Sequence, residues 1–350
     1  MKRSTRRKVQ LIGAGIGAGI AAGLAVRRLR TESIEGQIVL ITGGSRGLGL
    51  ALAREFSRNG CRIAICARDE AELNKAKNIL EQEGTDVFAF PCDVSDQGSV
   101  TRLVEAVRSH FGRIDILVNN AGVISVAPLD NLTVADFERA MAVMFWGVVY
   151  PTLAILPDMK NRHYGRIANI TSIGGKVSVP HLLPYSCAKF AAVGFSEGLR
   201  AEAAPYGISV TTIAPGLMRT GSHLKAEFKG QRSKEMAWFG VAATSPVTSM
   251  SAERAARQIV AAIRRGDAET ILTTQAHLLA RIHGSFPGLM PNLMALVNRM
   301  LPAAGGIGES AARGEEIGIT KDNWFQTATA LGRKAAERLN QNPEPAPASR

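Results

Sequence analysis

Between residues 37 and 275 the chain alternates two hydrophobic patterns. Short runs of consecutive apolar, largely β-branched residues recur: "QIVLIT" (37–42), "RIAICA" (62–67), "DVFAF" (86–90), "RIDILVNN" (113–120), "GRIANITS" (165–172), "ISVTTIA" (208–214) and "ETILTT" (269–274). They lack in–out alternation, as strands buried on both faces of a parallel sheet do. Between them apolar residues return at helical spacing: "LALAREFSRNG", closed by Gly60, then Ala71–Glu83, Val100–Phe111, Val134–Met159, Pro184–Ala204 and Ala252–Arg264. Seven strands with intervening helices predict an α/β fold with one doubly wound parallel sheet and one core over 34–275. Connections this regular leave no room for a separate catalytic domain.

The flanks read differently. Val9–Val26 is apolar except for Gln10, close to the roughly 20 residues of a bilayer-spanning helix. Glycines 15, 19 and 23 give it the small-xxx-small spacing of packed membrane helices. A membrane anchor is the reading adopted for 9–26, within a basic leader of residues 1–33. A cleaved export signal, suggested by "TRRKVQL", and a surface-lying leader are the alternatives. Residues 276–350 read as a helical extension. In it "FPGLMPNLMALVNRMLP" (286–302) has apolar residues at helical spacing, suited to a membrane surface, a substrate entrance, a subunit interface or internal packing. The final "LNQNPEPAPASR" is polar and proline-rich, the composition of a disordered tail.

Composition changes this picture little. The 350 residues are 46% hydrophobic and 21% charged, ordinary for a globular protein. Eight of the basic residues behind the net charge of +12 lie in residues 1–30, which hold no acid. The basic character therefore belongs to the leader, and with no zinc-finger or aromatic-rich RNA-binding motif it implies no nucleic acid. Cys61, Cys66, Cys92 and Cys187 have no metal-type spacing and read as free buried thiols; no metal site is expected.

Two glycine-rich stretches compete for a phosphate-cradling role. "GAGIGAG" (13–19) follows only four residues, "VQLI", after a run of arginines, too few for an anchored strand. "TGGSRGLG" (42–49) directly follows a strand and opens a helix, where glycines let a backbone approach a pyrophosphate and the helix N-terminus supplies N–H donors. Three further motifs follow in order: "NNAG" (119–122), Ser172 with Tyr185 thirteen residues on and Lys189 four beyond, and "PGLMRT" (215–220). Together these four resemble the TGxxxGxG, NNAG, Ser–YxxxK and PGxxxT pattern of the short-chain dehydrogenase/reductase superfamily, over about two-thirds of the chain.

The resemblance implies a Rossmann fold and a nicotinamide cofactor. It implies Tyr185 as proton donor or acceptor, Lys189 binding ribose and tuning Tyr185, and Ser172 orienting the substrate. Cofactor contacts are implied at Gly43, Ser45, Arg46, Gly47, Leu48 and Gly49 of the turn, and at Arg68. Asp93 and Val94 would lie by adenine, Asn120, Ala121 and Gly122 near its centre, and Pro215, Gly216 and Thr220 near the nicotinamide, with Tyr185 and Lys189 also touching it. The residues themselves are consistent: helical spacing places Tyr185 and Lys189 on one face, and a neighbouring ammonium favours phenolate. The tip of the second strand puts Ala67 where an NAD site offers an acid. Arg46 and Arg68 are placed to clamp a 2′-phosphate, so NADP is expected. Asp69 is expected to cap the next helix.

One position departs from the family pattern: "AVMFWG" puts Met144 where an asparagine of the proton relay is expected. The expected activity is interconversion of a ketone and a secondary alcohol on a lipophilic small molecule, steroid-like, retinoid-like or acyl-derived. A 3-oxoacyl-thioester reductase and, because of Met144, a non-catalytic NADP-binding scaffold are the alternatives. Residues 217–250 form the expected substrate lid, with Met218, Leu224, Phe228, Met236, Trp238 and Phe239 as pocket or packing residues. His181 is expected at a loop surface and Cys187 as a buried spectator. The family implies a homodimer or homotetramer, and NADPH use implies a catalytic domain facing the cytoplasm.

Overall fold

A computed structural model of the chain describes residues 31–306 and 308–341. Residues 9–26, and the anchor expected there, lie outside the described residues.

The seven expected strands all form: β1 (Ile38–Thr42), β2 (Arg62–Ala67), β3 (Val87–Pro91), β4 (Ile116–Asn119), β5 (Gly165–Ile170), β6 (Ile208–Pro215) and β7 (Glu269–Leu272). Every pairing is parallel, in the order β7-β6-β5-β4-β1-β2-β3. The order reverses between β1 and β4, the switch point where open α/β sheets leave a crevice at their carboxyl ends.

Unbroken apolar runs are needed because both faces are covered. Val39 and Ile41 of β1, with Ile63 and Ile65 of β2, pack under α1 (Gly47–Arg58), α2 (Glu70–Gln82) and α8 (Ala252–Arg265), against Phe56, Leu73 and Ile259. Ile38, Leu40, Ala64 and Cys66 point the other way, with Val104 of α3 (Gln97–Phe111), Ile155 of α5 (Gly147–Arg162) and Ala188 of α6 (Leu183–Ala203). The helical run expected over 134–159 is α4 (Val134–Met141), a π-helical turn (Ala142–Trp146) and α5. Val134–Arg162 is apolar and long enough to cross a bilayer, yet half of its apolar window is buried inside the fold.

The lid contains α7 (Arg232–Thr244), which the sequence pattern had not resolved as a helix. Leu224, Phe228, Met236 and Phe239 do not line an open pocket. They pack with Val126, Ile317 and Phe325 in a small core of their own, with Trp238 half-buried at its margin, while Met218 is half-buried against the main core. Chain beyond α9 (Thr274–Ser285) and α10 (Leu289–Asn298) returns to this lid: Ala312 pairs antiparallel with Phe228, and Phe325, on α11 (Asn323–Ala328), lies beneath Gly240. The last described helix is α12 (Ala330–Arg338). Phe325 is 2% exposed. Phe325→Ala is expected to lower unfolding free energy by about 3–5 kcal/mol and to speed amide exchange first in residues 312–338. Urea denaturation with hydrogen exchange measures both.

Candidate active site

The turn after β1 is fixed by a reciprocal set of bonds to the end of β4. The Thr42 hydroxyl accepts from the N–H groups of Asn120 and Ala121 (3.0 and 3.1 Å), and the Asn120 amide donates to the carbonyls of Thr42 and Gly43 (3.0 Å each). Close approach demands the glycines: a Cβ on Gly49 would sit 2.0 Å from the Gly43 carbonyl oxygen, and one on Gly43, where φ is +64°, 2.9 Å from the Ala121 Cα. α1 then starts at Gly47 with no side-chain cap, because the N-cap residue is Arg46. An uncapped helix start beside a backbone cradle is a ready anion site. These residues fit the pyrophosphate of a nicotinamide dinucleotide.

The same turn also receives the end of the described chain. The Gly47 N–H donates to the Leu339 carbonyl (2.8 Å), and the Asn340 amide donates to the carbonyls of Ser45 and Glu72 (3.0 Å each). Gln341 is 4% exposed, its Oε1 has no hydrogen-bond partner, and its Nε2 lies 2.5 Å from where a Gly47 Cβ would stand, beside Thr220. Leu339, Asn340 and Gln341 are therefore docked, not part of a disordered tail. Their polar composition misled because their partners are backbone groups nearly 300 residues upstream.

At the tip of β2, Ala67 is half-buried and Arg68 exposed, while the Asp69 carboxylate accepts from the Glu72 N–H (2.9 Å) and caps α2 as expected. Arg46 makes a two-pronged ion pair with Glu72 (2.7 and 2.8 Å). Asp93 accepts from both the backbone and the hydroxyl of Ser95, and Val94 is buried against Gly147. Leu48 is buried in the core under α1. Beyond β6, Gly216 donates to the Leu272 carbonyl, and Thr220 accepts from the Ser222 N–H (3.2 Å), a local cap.

Ser172, Tyr185 and Lys189 converge at the carboxyl end of β5. Ser172 accepts from the Gly174 N–H (3.0 Å) as the cap of a single 3₁₀ turn. The Tyr185 ring lies over Gly174: a Cβ there would be 3.0 Å from the ring and 3.4 Å from the Ser172 hydroxyl. Lys189, one turn along α6, donates to the Ile170 carbonyl (2.8 Å), with its Nζ 5.7 Å from the Tyr185 ring centre. Burial dominates the electrostatics. It holds the Tyr185 phenol above its ordinary value, opposed by the Ser172 hydroxyl, and lowers the Lys189 amine to about 8. The spacing argument anticipated an ammonium depressing the phenol. In the structure desolvation disfavours both charges.

Met144 is 1% exposed, sits in the π-helical turn and packs beside Gly122. Two expectations near Tyr185 are corrected. His181 is 7% exposed and bound to Glu235 through Nδ1 (2.9 Å), because α7 of the lid folds over its loop; Glu235 also accepts from Trp238 (2.7 Å). Cys187, one of the four thiols expected to be buried, is exposed, because on α6 it faces away from the Tyr185 and Lys189 side. Among the described residues no cluster of three metal-ligating side chains occurs.

A pyrophosphate seated at the turn would compete with the Leu339 carbonyl for the Gly47 N–H. Asn340→Gly removes two hydrogen bonds, about 0.5–1.5 kcal/mol each, and keeps the left-handed backbone at 340 (φ +55°). The variant is expected to bind NADPH several-fold more tightly in a fluorescence titration; equal affinity would mean the tail does not compete. The lysine predicts a pH effect. The unfolded amine (ordinary value 10.5) binds a proton between pH 8 and 10.5 that the folded one does not, so this term raises stability with pH in that window. Buried Cys61, pushed up to about 12, has the opposite slope above pH 9. The difference between wild type and Lys189→Met in denaturant melts from pH 7 to 9 isolates the lysine, and the rise should be missing in the variant.

Comparison with known proteins agrees with this geometry. Residues 37–229 match the family model for short chain dehydrogenases. A dehydrogenase/reductase SDR family protein 7-like of Anopheles gambiae is 42% identical over 199 residues, 55% of this chain and 62% of that protein. A fatty acyl-CoA reductase of Acinetobacter baylyi is 35% identical over 191 residues, 54% of this chain and 65% of that protein. The chain thus spans less than two-thirds of the length of these two relatives. The crystal structure of an actinorhodin polyketide ketoreductase with NADPH superposes with a TM-score of 0.60 at 27% identity, covering 69% of this chain and 97% of that one. Strand order, glycine turn and the match over more than half its length place this chain in the short-chain dehydrogenase family.

Proposed function

We propose that this protein is an NADP(H)-dependent oxidoreductase interconverting a ketone and a secondary alcohol on a lipophilic small molecule. The observation that carries the reading is the convergence of Ser172, Tyr185 and Lys189 at the same carboxyl edge of the sheet as the glycine turn. A bound nicotinamide supplies or accepts the hydride. The chain's own residues handle the rest. The Ser172 hydroxyl donates to the substrate oxygen as negative charge develops there. The Tyr185 phenol, kept protonated by its buried setting, gives that oxygen its proton in reduction and takes it back in oxidation. Lys189 lies beneath the Tyr185 ring, where its charge favours phenolate when Tyr185 yields the proton.

NADP rather than NAD is supported by the absence of an acid at Ala67 and by exposed Arg68 at the tip of β2. Arg46 is half-exposed and paired with Glu72, and a 2′-phosphate would compete with that carboxylate for its guanidinium. Buried Met144 offers no hydrogen bond to a relay water, so proton resupply to Lys189 is the step this chain handles least well. The resemblance to a fatty acyl-CoA reductase and a polyketide ketoreductase favours an acyl-derived ketone as the second reading, distinguished by a preference for thioester-linked over free ketones.

The test follows NADPH and NADH consumption across a panel of lipophilic ketones and 3-oxoacyl thioesters. Tyr185→Phe is expected to lower kcat by roughly 10²–10⁴-fold with NADPH affinity unchanged. Met144→Asn is expected to raise kcat. No consumption by wild type on any member, with NADPH still bound, would leave the scaffold reading instead.

A further inference from the structure

Helix α10 is apolar on both of its faces. Its inner face closes a groove of about 880 Å³ with Met290 and Met294, against Leu129, Val179, Pro180 and Phe190 of the main fold. Val179 and Pro180 belong to the segment that leads into Tyr185. The outer face carries Leu289, Leu293 and Leu296, spaced four and three residues apart on one stripe and exposed by 55%, 40% and 56%, and Met300, 82% exposed, follows in the turn after the helix. Phe286, at the corner between α9 and α10, is 62% exposed. A helix apolar all round belongs inside a core or against lipid, and here nothing among the described residues covers the outer stripe.

Two further observations narrow the occupant. No Asp or Glu occurs between Glu269 and Glu309, whereas Arg281 and Arg299, both exposed, lie in that span. A segment that carries an apolar stripe and two exposed arginines, and no acid of its own, complements an anionic bilayer interface. The stripe is also small. A helix of ten residues is about 15 Å long, so its face falls well short of the roughly 800 Å² per partner of a standard protein interface. We infer that the outer face of α10, with Phe286, lies in the headgroup region of an anionic lipid bilayer. The inference is independent of the reaction catalysed.

The experiment uses the full chain. Cys187→Ser removes the exposed thiol, and Leu293→Cys carries an environment-sensitive nitrobenzoxadiazole probe; the same label at Glu105→Cys, exposed on α3, is the reference. The probe at 293 should shift to the blue and brighten several-fold on vesicles containing phosphatidylglycerol. Less change is expected on phosphatidylcholine alone, and nitroxide lipids should quench the signal. The label at 105 should not respond. Co-sedimentation with vesicles while the probe at 293 stays in water would overturn the proposal, because another segment would then hold the membrane. A blue shift without vesicles that grows with protein concentration would also overturn it, in favour of a second copy of the chain.

Discussion

The hydrogen bonds that tie Thr42 to Asn120 are the constraint on which the site depends. β1 and β4 are neighbours only because the strand order reverses between them, and the four bonds across their carboxyl ends hold the crevice in one shape. One partner is a side-chain hydroxyl and the other a side-chain amide, each satisfied by backbone of the opposite strand. The glycine turn is positioned by this staple. Ser172 arrives at the same edge because β5 is the next strand in the sheet, and Tyr185 because α6 packs back across it. A parallel sheet ends all its strands at one edge, so chemistry scattered over 150 residues of sequence meets within one crevice.

Burial of the side chains in that crevice sets their protonation states. Tyr185 and Lys189 are both disfavoured as ions, in opposite senses, by the same burial. A phenol held neutral beside an amine whose charge burial weakens is suited to passing one proton in either direction. The π-helical turn around Met144 closes the side of the crevice next to Gly122 with an apolar group. It leaves no polar side chain at a position where the family pattern has one.

The extension beyond residue 275 is integrated with the nucleotide side of the fold. Phe325 anchors it under α7, Ala312 adds a strand to the lid, and Leu339–Gln341 reach the start of α1. The lid, the extension and the glycine turn are thus mechanically continuous. The ion pairs of Glu72 with Arg46 and of Lys225 with Glu315 lie along the same seam.

The seven strands, their flanking helices and the order of the four motifs were legible from residues alone. Period and motif spacing are local properties, and a parallel sheet imposes both along the chain. The strand before the second glycine stretch was legible for the same reason, and β1 forms there as expected. The burial of His181 against Glu235, the packing of Leu224 and Phe239 away from any pocket and the docking of Asn340 on Ser45 were not legible. Each depends on a contact between segments from about 50 to nearly 300 residues apart, whose side chains carry no local periodicity. Cys187 was misplaced because its exposure follows from which face of α6 meets the sheet. Sequence determined which residues could do the chemistry. Tertiary structure alone decided which of them are dry, which are covered and which are free to meet a partner, because desolvation and long-range backbone pairing exist only once distant segments have packed together.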